Sequence, residues 1–208
     1  MDGFVTVSEE TTAEYTEKRS RFIATLYPCD TEEKAAEFIN KMRSEYWDAR
    51  HNCFAYSVEN GAVKRFSDDG EPHGTAGKPI LEVIEGAGIT NTVIVVTRYF
   101  GGVLLGTGGL VRAYTKAAKD AVDLSQRVLM TPCNVFSCSC SYSDRERLVK
   151  LIEDSGGTVE DTVFTADVEL KFYLSEEKSK KFLIKLCETF SARLTAEITE
   201  TRLCPVKI

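Results

Sequence analysis

The chain has 208 residues, enough for one large domain or two small ones. Its 43% apolar and 28% charged content is that of an ordinary folded protein and excludes disordered, collagen-like and low-complexity scaffolds. Lys+Arg 26 against Asp+Glu 32 leaves a formal charge of −6, which excludes a strongly basic nucleic-acid coat but not a local basic patch.

The first residues, MDGFVTVSEE, lack the basic-then-apolar order of a secretory signal. The longest apolar runs, Thr92–Thr97 and Val103–Leu105, fall far short of the ~20 residues of a spanning helix. The expectation is therefore a cytoplasmic protein with no membrane partner. Its seven cysteines, none in a C-x-x-C spacing, are expected to be reduced.

In chain order, Phe4–Ser8 and Arg21–Tyr27 read as strands. Thr31 caps a helix over Thr31–Tyr46 with Ala35, Phe38, Ile39 and Met42 on one face. Trp47, directly after it, is expected to seal the core. Asn52–Val58 alternates as a strand. Ala76–Glu85 reads as a helix with Pro79 in its tolerated first turn. Asn91–Thr97 suits a buried central strand, and Leu110–Leu124 a helix that follows a glycine loop.

Ten of the 14 glycines lie between Gly70 and Gly109, and Pro132 follows a mixed stretch, which places a domain boundary near 130–136 and domains at 1–132 and 133–208. Beyond it, Asn134–Ser141 alternates as a strand. Ser143 with Glu146 reads as the capping box of a helix. Thr158–Phe164 and Ala166–Leu174 read as a hairpin. Ser175 caps a second helix carrying Phe182, Leu183, Leu186 and Phe190, and Arg193–Thr201 is a last strand. The order βαββαβ is that of a ferredoxin-like domain, so the fold class is α+β. No metal or cofactor is expected: Cys138 and Cys140, with Cys133, read as small core residues rather than ligands.

The informative stretch runs from Arg65 to Lys116. Gly101, Gly102, Gly106, Gly108 and Gly109 let backbone amides approach a ligand closely, and the helix that follows offers unpaired N–H groups. Arg98 precedes this loop, while Arg112 and Lys116 share a helix face. Together they form a candidate anion site, for phosphate or a nucleic-acid backbone. The plainer reading is a tight strand-to-helix turn. Thr107 stands where a P-loop needs lysine, and Val111 where a dinucleotide fingerprint needs glycine. The upstream turn Ser67–Gly74 holds Asp68, Asp69, Glu71 and His73, either as a solvated turn or as acid–base and metal-holding groups. Lys78 is a cation nearby. His51 and Cys53, two apart on a strand, are poorly placed for mutual hydrogen bonding. Tyr99 and Phe100 are base-stacking residues or the rim of the central strand.

The segment SDDGEPHGTAGKPILEVIEGAGITNTVIVVTRYFGGVLLGTGGLVRAY resembles the signature of the YigZ/IMPACT family, and EKRSRFIA (Glu17–Ala24) and DARHNCFAY (Asp48–Tyr56) resemble its flanking blocks. His73 departs from the small residue of that pattern. The resemblance implies an N-terminal domain like RNase PH and the second domain of a small-subunit ribosomal protein. It also implies a C-terminal domain like a ferredoxin-like domain of elongation factor G. The function expected from residues and resemblance together is non-enzymatic binding of RNA or the ribosome, modulating translation. Arg98, Arg112, Lys116 and the glycine loop would hold phosphates, with Arg21, Arg65 and Lys78 as neighbours. One alternative is an enzyme acting on a phosphorylated small molecule or an RNA end, with Asp68, Asp69 or Glu71 as base or Mg²⁺ holder. Another is a module that binds a protein partner.

Overall fold

The computed structural model describes residues 3–208. The chain is mixed α+β and forms two compact units, Phe4–Val128 and Leu129–Lys207.

The N-terminal unit is built on a five-stranded sheet. Its strands are β2 (Thr11–Glu17), β3 (Ser20–Pro28), β4 (His51–Val58), β5 (Val63–Ser67) and β6 (Thr92–Tyr99), in the order β2-β3-β6-β4-β5. Neighbours are antiparallel throughout. The valine-rich run is the central strand β6, buried on both sides, because its period-two alternation serves two cores. Val93 and Val95 pack with Phe38, Ile39 and Met42 of α1 (Glu32–Glu45). Ile94 and Val96 pack with Ile80 and Ile84 of α2 (Gly77–Gly86) and with Ala113, Tyr114 and Ala117 of α3 (Gly106–Leu124). Thr31 caps α1 as its sequence predicts, accepting the Lys34 N–H at 3.3 Å. The short β1 (Phe4–Val7) bridges Ile89 through Val5.

Two strands were not legible. β2 and β5 each form a hairpin with a recognised strand. The β2–β3 turn carries Lys18–Arg19 in left-handed conformations without an Asn-Gly or Asp-Gly signal, whereas the β4–β5 turn does hold Asn60-Gly61, but the Val63–Ser67 run beyond it, with Lys64 and Arg65, lacks a clear apolar alternation. Helix α3 also begins four residues earlier than the glycine pattern predicts. Gly106, Gly108 and Gly109 therefore lie in its first turn rather than in a loop. Packing of the helix against the sheet outweighs a helix penalty of roughly 1 kcal/mol per glycine.

The C-terminal unit takes β7 (Arg127–Cys140) from Leu129 onward, and with β8 (Thr158–Phe164), β9 (Val168–Ser175) and β10 (Ala196–Lys207) it has the order β10-β7-β9-β8. This is the ferredoxin-like arrangement, with β9 inserted antiparallel between β7 and β8. Helices α4 (Arg145–Asp154) and α5 (Glu176–Thr189) supply Leu148, Ile152, Phe182 and Leu186 to the core with Phe136 and Phe172. Two details differ from expectation. α4 is capped from Asp144, whose N–H is accepted by Ser141 Oγ at 3.2 Å, rather than by a Ser143 capping box. Ser175 caps α5 without a side-chain hydrogen bond. Cys138 and Cys140 lie in the helix-facing core, whereas Cys133, an odd number of residues away, lies on the other face with Cys204 and Tyr173.

Candidate functional site

The turn after β5 is held by its own carboxylates. Asp68 Oδ1 accepts the N–H groups of Ala76 (3.0 Å) and Gly77 (2.8 Å), and Oδ2 accepts that of Gly74 (2.8 Å). Asp68 thus caps α2 from outside the helix. Desolvation pushes its carboxyl up, but the three backbone donors together outweigh this and hold it below the usual carboxylate range. Asp69, at φ 42, accepts the Asn52 N–H on Oδ2 (2.7 Å) and pairs with Arg43 through Oδ1 (3.1 Å). Both aspartates offered by the sequence as catalytic groups are therefore engaged in shaping the turn.

Glu71 points inward instead. Its Oε1 accepts Arg98 Nη1 at 2.5 Å and the Tyr114 hydroxyl at 2.8 Å, with His51 Nε2 at 3.9 Å. The pair is deeply buried: 8% of the Arg98 side chain and 3% of the Glu71 side chain are exposed. The network extends to Cys53, which donates its S–H to Asp68 O (3.0 Å) and lies 3.4 Å from the Tyr114 hydroxyl. His51 Nδ1 lies 2.8 Å from Asp69 O, which can only accept, so Nδ1 carries the proton. Cys53 and His51 therefore spend their protons on the turn and not on each other. Burial pushes both the Cys53 thiol and the Tyr114 hydroxyl far up, keeping them neutral. The acidic turn and the helix after the glycine loop thus meet at one carboxylate, a join that sequence spacing alone does not reveal.

This geometry corrects the role expected of Arg98. Its position as the last but one residue of β6 puts it opposite Phe22 on β3 and His51 on β4, facing the core. The guanidinium lies 5.5 and 5.7 Å from the centroids of the Phe22 and Phe100 rings, and its Nε has no partner. It neutralises Glu71 rather than standing free on the surface. Most other predicted cations also have acidic partners: Arg21 with Glu14 (2.8 Å), Arg65 with Glu32 (4.0 Å), Lys78 with Glu82 (3.9 Å) and Lys116 with Asp120. Arg112 is exposed and has no ion pair among the described residues.

Sequence reading missed the cations of the β2–β3 turn. A Cβ on Gly101 would fall 2.0 Å from the Arg19 carbonyl carbon, so the glycine loop can close only because residue 101 has no side chain. Ser20 Oγ accepts the Gly101 N–H at 3.2 Å. Lys18 and Arg19, both exposed, are thereby brought beside the loop that opens α3. That helix has no side-chain cap and no acidic residue in its first turn. Gly102 and Gly106 adopt positive φ, of 82° and 69°, and face open space. Trp47 is likewise a correction: it is 81% exposed and seals nothing. Among the described residues there is no cluster of three or more metal-ligating side chains and no helix long and apolar enough to cross a membrane.

Residues 18–122 match the Impact N-terminal domain, and residues 138–193 match a domain of unknown function, DUF1949. The chain is 36% identical to the IMPACT family member YvyE of Bacillus subtilis, over 88% of this chain and 84% of that protein. The chain belongs to the IMPACT family. A second member, YigZ of Escherichia coli, is 37% identical over 88% of this chain and 89% of its own length. The rabbit Protein IMPACT (Oryctolagus cuniculus) is 33% identical over 44% of this chain and 30% of its own length, so it shares a segment and not the whole architecture. A solved structure described as that of a hypothetical protein superposes with a TM-score of 0.61 at 34% identity, covering 96% of this chain and 98% of the other. In this IMPACT-family chain the Glu71–Arg98–Tyr114 network and the glycine loop both fall inside the Impact N-terminal domain.

Proposed function

We propose that this IMPACT-family protein binds RNA, free or within the ribosome, and thereby modulates translation in the cytoplasm without chemical turnover. The observation that carries this reading is the packing of the Arg19–Ser20 backbone on Gly101. It supports a composite anion surface made of the Lys18–Arg19 turn, the open first turn of α3 and Arg112. Unpaired helix N–H groups attract phosphate, and cations on two sides fix its position. The Asp68 and Asp69 oxygens are occupied by backbone N–H groups and Arg43, which favours binding over acid–base chemistry. Both domain relatives implied by the resemblance concern RNA or the ribosome, which agrees with this reading at the level of fold analogy.

The test is the salt dependence of binding to purified ribosomal RNA. With about three phosphate contacts on single-stranded segments, log affinity falls with log salt at a slope of about −2. Arg19→Ala and Arg112→Ala each reduce that slope by about 0.7. Affinity that does not change with salt, or that changes equally in wild type and both variants, contradicts the proposal.

One feature favours a protein partner as the second reading. Leu104, at 84% exposure, stands with the exposed Val103 in the same loop, an apolar pair beyond Phe100 that contributes little to the core. On that reading Leu104→Ser abolishes capture of the partner by the immobilised chain after nuclease treatment, while Arg112→Ala does not.

A further inference from the structure

We infer that the RNA bound by the N-terminal unit is unpaired, and that Trp47 is a stacking platform for one of its bases. This rests on the RNA-binding reading above and adds to it the strandedness of the ligand and a second patch of surface.

Trp47 lies in the turn between α1 and β4. The turn is pinned on both sides of it. Tyr46 donates its N–H to Met42 O (2.9 Å), and Asp48 Oδ1 accepts the Tyr99 hydroxyl (2.8 Å). The ring is thus held outward by a fixed backbone rather than carried on a loose loop. Its sequence neighbours Glu45, Asp48 and Arg50 are all exposed and charged, so no exposed apolar run flanks the ring to build an apolar patch around it. A protein partner's apolar surface would need such a patch; a nucleobase needs one flat face with cations in reach of its phosphates.

Those cations are present at the same end of the sheet. Arg50 immediately precedes β4, whose first residue, His51, lies opposite Arg98. Arg21 lies opposite Tyr99, with its guanidinium 5.9 Å from that ring's centroid. Lys18 and Arg19 form the turn that leads into β3 and packs on Gly101. Arg50, Lys18 and Arg19 make no ion pair among the described residues, whereas Arg21 is paired with Glu14; the nearby Asp48 and Glu17 carboxylates are held in place by the Tyr99 and Tyr15 hydroxyls. The starts of β3 and β4 and the end of β6 therefore carry Trp47, Tyr99 and these cations together. Stacking on an exposed ring requires a base that has left its helix, since bases in a duplex have no free face.

Trp47 is the one tryptophan of the chain, so its emission reports on this position alone. The full-length chain is titrated with a labelled oligouridine of about ten nucleotides and with a blunt RNA duplex of the same length. The expected result is quenching of Trp47 emission by the single strand and none by the duplex. Single-strand affinity, read by anisotropy of the label, weakens roughly tenfold in Trp47→Ala and is largely retained in Trp47→Phe. Trp47 is exposed, so neither variant is expected to disturb folding. Single-strand binding that leaves Trp47 emission unmoved and is equal in Trp47→Ala overturns the inference. So does equal quenching by the duplex. If that binding still weakens in Arg19→Ala, the broader RNA reading stands without it. Absence of binding to either RNA at low salt overturns both.

Discussion

Replacing Arg98 should destabilise the N-terminal unit before it reveals anything about a ligand. Arg98→Met removes the Nη1 donor 2.5 Å from Glu71 and leaves that carboxylate, 3% exposed, with the Tyr114 hydroxyl as its remaining short partner. Breaking a buried pair from one side costs about 3–5 kcal/mol, because the other charge stays behind in a medium that solvates it poorly. The control is Lys64→Met, which breaks an ion pair of similar length (Lys64–Glu85, 2.8 Å) between two well-exposed groups and should cost at most about 1 kcal/mol. Removing both partners in Arg98→Met/Glu71→Leu takes away the stranded charge. It should bring stability back to within about 1–2 kcal/mol of wild type, the residue being the lost acceptor of Tyr114. Because the chain has two compact units, the quantity to follow is the opening free energy from hydrogen exchange of the β6 amides, Val93–Thr97, which reports on the N-terminal unit alone. A loss in Arg98→Met no larger than that of Lys64→Met, or a double variant worse than the single one, would contradict the buried-pair reasoning.

Three further outcomes follow from the same geometry. Asp68→Ala should cost about 1–2 kcal/mol at neutral pH through loss of the α2 cap. Because the folded carboxyl titrates below its ordinary value, that contribution is complete above about pH 4 and is lost as pH falls further, so denaturation of wild type and variant should converge in acid. Gly101→Ala should destabilise the N-terminal unit by about 1–3 kcal/mol and weaken RNA binding as well, since the added methyl must push the Arg19–Ser20 backbone away from the loop; unchanged melting and unchanged affinity would contradict this. In thiol labelling of the native chain Cys187 should react first and alone, being the exposed cysteine, while burial pushes Cys29 up to about 12 and Cys138 up to about 11. Mass spectrometry of the labelled peptides reads this directly.

The sequence carried much of the fold because its strongest signals were local. The Thr31 cap, the α1 stripe of Ala35, Phe38, Ile39 and Met42, the buried β6 run and the βαββαβ order all depend on spacing within one element or its immediate neighbours. What it hid was set by tertiary contact. Lys18 and Arg19 carry no hairpin signature, so neither β2 nor the cations of its turn are legible in the sequence; the packing of Gly101 on them is a tertiary contact. Arg98 reads as a free cation next to a glycine loop, but strand parity turns it to the core, where Glu71 waits 27 residues upstream. Tyr114 carries no sequence signal and Cys53 reads only as a neighbour of His51, since nothing in the spacing of Cys53, Glu71 and Tyr114 announces a shared hydrogen-bond network. Glycine density marks the region but not the start of α3, because glycine occurs both in open turns and at open helix ends.

The RNA reading is best tested by co-sedimentation with purified ribosomes at low and moderate salt, wild type beside Arg19→Ala/Arg112→Ala, with β6 hydrogen exchange confirming that the variant is folded. Both substitutions lie on the surface, so they separate binding from stability in a way that Arg98 cannot. Wild type pelleting at low salt, less at moderate salt, with the folded variant left in the supernatant, is the result predicted. A folded variant that pellets as well as wild type would move the contact away from the glycine loop, and wild type that never pellets would remove the ribosome from the proposal.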